Sequence, residues 1–319
     1  MRTSKSPIPP IRDKYDWAKV DPYDRYFDFI APDADRYTVL IQNIEKYKLN
    51  SAVIPIEGNR HIFIFPPGHK SLRASGGVFP LSNTTPYLLT AHYDRVTGSP
   101  GANDNSIAVF LLLNAAITLT HRKVGKWMII FTDKEELKPG EGPEEQGSFS
   151  LAKKLKLFGL EKSKIFNFDA CGTGDTFILS TLTDEILKRS DQAAIQNIRT
   201  SVLRLRDRAL VTADTLRFEK ILLAPTPFSD DVGFLRAGLA SQTITILPSA
   251  EAEQYEALLR TRPDFADLII SGKVKDPQEY RRLPETWRNL NSALDTPSRL
   301  TPDVFKNVIN FILQLVMDK

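Results

Sequence analysis

The sequence predicts an α/β fold, a three-layer αβα sandwich built on a mixed, mostly parallel central sheet. Three observations carry that reading. From Pro86 onward, short apolar β-rich runs alternate with helix-period segments, the pattern of strands joined by crossover helices with a helix layer on each face. Polar, acid-rich clusters follow directly after three of those runs, where open α/β sheets bind their ligands. The 319 residues, 42% of them hydrophobic and 25% charged, suffice for one large unit with a sizeable core.

Residues 1–30 read as a Pro-rich arm with aromatic anchors at Tyr15, Trp17, Tyr23, Tyr26, Phe27 and Phe29. Asp33 is placed to cap a helix in which Tyr37, Leu40, Ile41, Ile44 and Tyr47 recur at helical spacing. Ser51 to Ile56 and His61 to Phe65 are β-rich runs on either side of Glu57-Gly58-Asn59-Arg60, a hairpin. Pro86 to Ala91 then reads as a buried strand, Ile107 to Leu119 as a helix and Trp127 to Thr132 as a strand. Ser148 to Phe158 follows as a helix and Ile165 to Asp169 as a strand. Thr176 to Leu179, Ile221 to Leu223 and Thr243 to Leu247 are further strands, with one long helix from Thr183 to Leu205. Residues 250–287, rich in charge and proline, form an inserted helical segment. Thr301 to Met317 closes the chain as an amphipathic helix, with Thr301 as N-cap and Pro302 at its first position. One domain over residues 1–319, with the arm and the insertion as appendages, is the simplest partition.

Composition excludes several classes. Gly 16 and Pro 21 are ordinary counts, which rules out collagen-like and low-complexity chains. A net charge of +3 is too even to argue for nucleic acid. The lone Cys171 can form neither an internal disulfide nor a cysteine-based zinc knot. The basic start lacks an apolar stretch behind it, and Ile107 to Ile117 falls well short of the roughly 20 residues of a membrane span. The expectation is a soluble cytoplasmic protein without nucleic-acid or membrane partners.

The chemistry sits after the strands. Ala91-His92-Tyr93-Asp94 follows the first core strand, and Pro100-Gly101-Ala102-Asn103-Asp104-Asn105 opens the next helix. Thr132-Asp133-Lys134-Glu135-Glu136 follows the second strand and Asn167-Phe168-Asp169 the third. Singly these pieces have ordinary readings: a hydrogen-bonded His-x-Asp pair, an N-cap at Asp104, an acidic first turn at Glu135-Glu136. Asp169, closing an apolar strand, is harder to dismiss, because charges are rarely buried without a partner. Together they bring an imidazole and three carboxylates from successive strand ends to one crevice. A hydrolytic metal site needs such a set: N and O ligands, a bridging carboxylate and a spare carboxylate for a proton.

These four blocks resemble the di-zinc exopeptidases of clan MH, which include bacterial aminopeptidases, glutamate carboxypeptidase and glutaminyl cyclases. The resemblance runs from about Pro86 to the C-terminus and takes in Gly147-Ser148, Phe228-Ser229-Asp230-Asp231, Gly238-Leu239 and Ser292-Ala293-Leu294-Asp295. It implies that His92 and Asp169 hold a first zinc, that Asp104 bridges to a second held by Glu136, and that Glu135 is the general base. Asp94 would orient His92 from behind. A cis Asp104–Asn105 peptide bond is implied as well. The substrate would be a peptide or a small aminoacyl compound.

Two departures stand out. Where the family has Ser-Asp-His, this chain has Ser229-Asp230-Asp231. The family's last ligand is a histidine at the position of Asn291, and no other histidine replaces it: His121 lies at the far end of the helix after Asn105, about 20 Å away, and His61 and His69 precede the core. One or two zinc ions are therefore expected, the second site impaired unless Asp231, Asp295 or water completes it. Three functions remain open on the sequence: an aminopeptidase, a glutaminyl-peptide cyclotransferase, and a catalytically weakened relative that binds a ligand or partner. The insertion Leu137 to Gln146 resembles the cyclases, whose metal needs the missing histidine.

Other signals are set aside. Gly172-Thr173-Gly174 lacks the third glycine and the helix of a dinucleotide site. Cys171 reads as a small buried residue, and Ser99 and Ser229 lack a nucleophile elbow. Arg204 to Arg208 reads as a solvated helix face, with phosphate binding as the alternative.

Overall fold

The computed structural model describes residues 16–19, 21–68, 86–188, 192–270 and 276–317; His69 and Tyr15 fall outside them. Helices α1 (Tyr26–Ile30) and α2 (Arg36–Lys46) precede the hairpin of β1 (Asn50–Ile56) and β2 (Asn59–Phe65). Then come β3 (Tyr87–His92), α3 (Ile107–His121), β4 (Trp127–Thr132), α4 (Gly147–Leu157) and β5 (Lys164–Phe168). They are followed by β6 (Thr176–Ser180), α5 (Leu182–Leu187), α6 (Ala193–Thr215), β7 (Ile221–Ala224), α7 (Asp230–Arg236) and β8 (Ser241–Leu247). The insertion carries α8 (Ser249–Thr261), α9 (Pro263–Ile270), α10 (Pro277–Tyr280) and α11 (Glu285–Asn289), and α12 (Pro302–Met317) ends the described chain.

The eight strands form one sheet in the order β1-β2-β4-β3-β5-β8-β6-β7. Its centre, β4-β3-β5-β8, is parallel, while β2 pairs antiparallel with β4 and β6 with β8. From β3 the chain crosses to β4 on one side and then returns to β5 on the other. The connections therefore diverge at β3, and a crevice opens at the carboxyl ends there.

Alternate side chains along each strand divide between two cores. Leu89, Ala91, Ile129, Phe131, Phe166 and Phe168 pack beneath α2, α3, α6 and α12. Leu88, Met128, Ile130 and Ile165 pack against Leu151 and Leu155 of α4 and Phe234 of α7. Ala102–His121 has the length and apolarity of a membrane span, but ten residues of α3 are buried in the first core. Its all-round apolarity is that of a covered core helix.

Several expectations need correction. Asp35, not Asp33, caps α2: its carboxylate accepts the Thr38 N–H at 3.2 Å and the Thr38 hydroxyl at 2.6 Å. The single helix expected from Thr183 to Leu205 is two helices, α5 and α6, and the second runs on to Thr215. Thr301 stands directly before Pro302 at the start of α12, as expected, and its hydroxyl also accepts the Gly174 N–H at 3.0 Å, which ties that helix to the turn after β5. The described part of the arm is packed onto the core: Trp17 meets Phe305 edge-on with centroids 5.1 Å apart, and Phe29 meets Phe110 at 5.5 Å. In the insertion, Ala252, Tyr255, Phe265 and Trp287 pack over Ile178, Ala224 and Leu247 of β6, β7 and β8.

Candidate metal centre

His92 is the last residue of β3, and its ring is 1% exposed. Its Nε2 faces Asp104 Oδ1 at 3.1 Å and Asp169 Oδ1 at 3.7 Å, and its Nδ1 faces Asp94 Oδ1 at 3.4 Å. The donor atoms of His92, Asp104 and Asp169 all lie within 4.8 Å of one another, as do those of His92, Glu135 and Glu136. Two ligands about 2.0–2.1 Å from a tetrahedral zinc stand about 3.3 Å apart, so the first trio has the spacing of a ligand set. His92 Nδ1 and Nε2, Asp169 Oδ1 and Glu136 Oε1 are all buried without a hydrogen-bond partner. Burial raises the pKa of Asp104, Glu135 and Glu136, and neighbouring carboxylate charge adds to it, taking Glu136 to about 9. A dication among these groups would relieve that penalty, so the residues present fit zinc.

The loops that present these groups are held by hydrogen bonds. Asp94 accepts the Glu135 N–H at 3.2 Å and the Glu136 N–H at 3.0 Å, which fixes the acidic pair relative to His92. Asp295 accepts the N–H groups of Asn103 at 2.8 Å and Asp104 at 3.0 Å. Asn105 donates to Phe168 O at 2.8 Å and accepts from Ala170 N at 3.3 Å, clamping the end of β5 that carries Asp169. Ser229 Oγ donates to Asp169 Oδ2 at 2.5 Å. The Asp104–Asn105 bond is cis.

Two glycines are required by close approach. A Cβ on Gly101, at φ 61°, would lie 2.7 Å from both Arg36 Nη2 and Asp104 O. One on Gly147 would lie 1.8 Å from Asp133 O.

Sequence reasoning missed three supporting residues. Arg36, 6% exposed, donates to the carbonyls of Tyr93, Asp94, Pro100 and Gly101 and to Ser106 Oγ, binding the His92 and Asp104 loops together. Gln146 Nε2 reaches Glu135 Oε1 at 3.1 Å. His61, set aside as preceding the core, is buried, with Nδ1 accepting the Asp133 N–H at 3.3 Å. None carries a local motif; Arg36 in an amphipathic helix looks like any surface arginine.

A cleft of about 230 Å³ opens over the centre. Asp104, Glu135 and Asp169 line its floor, Phe228, Tyr280, Leu283, Trp287 and Leu290 its walls, and exposed Asn291, at φ 59°, its rim. Asp231 and Asp295, the possible substitutes for the absent histidine, do not line it, and neither do His92 and Glu136. Asp231 is buried beneath, its carboxyl pushed up to about 7 by burial. Cys171 is also buried, with its thiol raised by burial, which removes it as a nucleophile.

Residues 77–315, about three quarters of the chain, match peptidase family M28. Aminopeptidase YwaD of Bacillus subtilis (strain 168) is 26% identical over 191 residues, 59% of this chain and 37% of that protein, so the chain spans well under half of that relative. Among solved structures, a Zn-dependent exopeptidase from Parabacteroides distasonis superposes with a TM-score of 0.58 at 14% identity, covering 93% of this chain and 98% of the other. Glutaminyl cyclase from Tannerella forsythia gives 0.59 at 15%, covering 93% and 96%. These structural likenesses bear on the fold. The family match spans the segments that carry His92, Asp104, Glu135, Glu136 and Asp169, and the chain belongs to peptidase family M28.

Proposed function

We propose that the chain is a zinc-dependent aminopeptidase that removes apolar residues from the N-termini of peptides. The observation that carries this reading is the charge of the cleft. Among the described residues, Asp104, Glu135 and Asp169 line it, and no lysine, arginine or histidine does. A substrate ammonium group finds acidic surroundings there, whereas a C-terminal carboxylate would find no cationic side chain among the described lining residues. The apolar walls formed by Phe228, Leu283, Trp287 and Leu290 suit a hydrophobic first side chain.

His92, Asp104 and Asp169 would hold the zinc, which when bound supplies Lewis acidity to the scissile carbonyl and to water. Glu135 acts as general base. Its Oε1, fixed by the Gln146 amide, takes a proton from the attacking water and delivers it to the leaving amine. Asp94 orients His92 through Nδ1, so that Nε2 faces the two aspartates.

The second reading is glutaminyl cyclisation, favoured by the near-complete overlap with the Tannerella cyclase. Purified zinc-loaded protein offered leucyl-, phenylalanyl- and glutaminyl-anilides separates the two. The aminopeptidase reading expects hydrolysis of the first two and none of N-acetyl-leucyl-anilide. Pyroglutamyl product from the glutaminyl substrate, with the leucyl anilide untouched, would establish the cyclase instead.

A further inference from the structure

The arginines at positions 204 and 208, set aside in the sequence as a solvated helix face, line a second cavity. This cleft of about 600 Å³ lies between α6 and the residues leading into β5. Lys164 opens β5 and Asp169 follows its far end, so the cleft lies about 17 Å from the metal centre, at the opposite end of the parallel strands.

Lys162, Lys164, Arg204 and Arg208 face it against the single carboxylate of Glu161. Asn197, Ser201, Arg204 and Arg208 recur at helical spacing, so α6 turns one polar stripe into the cleft. The floor beside that stripe is apolar, from Ile198, Leu205 and Ala240.

Two of the cations are positioned by the protein. Lys164 Nζ lies 4.6 Å from the centre of the Tyr87 ring and donates to its hydroxyl at 3.2 Å. The Arg208 guanidinium lies 6.0 Å from the same ring centre and donates to Leu315 O at 3.2 Å. Lys162 and Arg204 form no ion pair among the described residues. The hydroxyl of Ser163, on the same wall, is buried and has no hydrogen-bond partner. Lys162, Lys164 and Arg204, gathered with one acid, repel one another until an anion joins them. Arginine forks and lysine ammonium groups together match phosphoryl oxygens. The volume exceeds that of a lone phosphate, and the apolar floor offers a surface to an organic body.

We propose that this cleft binds a small polyphosphate ester, its phosphates on Lys162, Lys164, Arg204 and Arg208 and its organic part over Ile198 and Leu205. The test is calorimetric titration of the zinc-loaded protein with ATP and with pyrophosphate at low salt. The proposal expects saturable binding of one ATP per chain and weaker binding of pyrophosphate. Arg204→Glu should weaken ATP binding at least about tenfold, the loss of one charged hydrogen bond, and Lys162→Glu with Arg204→Glu should weaken it further. Both residues are exposed, so circular dichroism and anilide hydrolysis should stay at the parental level. Absence of saturable binding, or binding that survives in the double variant, overturns the proposal. Binding that is lost in His92→Ala yet kept in Arg204→Glu assigns the anion to the metal centre and overturns it equally.

Discussion

The carboxylate of Asp295 receives the backbone N–H of Asp104 at 3.0 Å, with the N–H of Asn103 on its other oxygen at 2.8 Å. The block from Asn291 to Asp295 thus keeps the acid that positions Asp104, while an amide stands at its other end. Asp295→Asn turns an NH₂ group toward one of those donors and loosens the Asp104 loop. Zinc affinity, measured by competition with a chelator, should fall about 10–100-fold with the circular dichroism unchanged. Unchanged affinity would mean that the loop holds without Asp295.

The second metal position is expected to bind weakly. Asn291 offers only an amide oxygen, and both carboxylate oxygens of Asp295 already accept the Asn103 and Asp104 N–H groups. Glu136 Oε1 is meanwhile buried without a partner. After exhaustive dialysis, elemental analysis should find about one zinc per chain, rising toward two in Asn291→His. Two firmly held zincs in the unmodified chain would restore the ordinary di-metal centre.

Arg36 links two loops that the sequence separates. Its five acceptors lie between Tyr93 and Ser106, and burial lowers its pKa only to about 10, so it stays charged at neutral pH. Arg36→Met takes the guanidinium donor from the Tyr93 and Asp94 carbonyls, while Pro100 O keeps Arg95 and Gly101 O keeps Ser106. Urea unfolding should show a loss of about 3 kcal/mol or more, whereas a loss under about 1 kcal/mol would make the hydrogen bonds incidental.

His61 gives stability a pH dependence. Burial lowers its pKa to about 4, below the roughly 6.5 of an unfolded histidine. As pH falls, the unfolded chain takes up the proton first, so the contribution is full above about pH 6.5 and is lost on descending to about 4. The stability of the parent relative to His61→Gln should therefore shrink by about 3 kcal/mol across that window. Parallel unfolding curves for the two proteins would rule this out.

Most strands were legible because a buried strand declares itself locally: Trp127–Thr132 matches its expected bounds, and β3 and β5 shift by one residue. The clustering of His92, Asp104, Glu135, Glu136 and Asp169 was legible because strand ends are where such a sheet gathers polar groups. The break between α5 and α6 was missed, although the polar run Lys188 to Gln192 interrupts the apolar spacing there. The contacts of Arg36, Gln146 and His61 were not legible, since they depend on neighbours up to 72 residues away in the chain. The cationic cleft was half legible: Arg204 and Arg208 share a helix face in the sequence, but only the fold adds Lys162 and Lys164 to them.

The central claim is that Glu135 moves the proton in a zinc-dependent removal of N-terminal residues. Its direct test is the turnover number for leucyl-anilide of the parent and of Glu135→Gln, at equal, measured zinc content. The account predicts measurable hydrolysis by the parent and a rate at least about 100-fold lower in the variant, with zinc retained. Equal turnover by the two zinc-loaded proteins would contradict it.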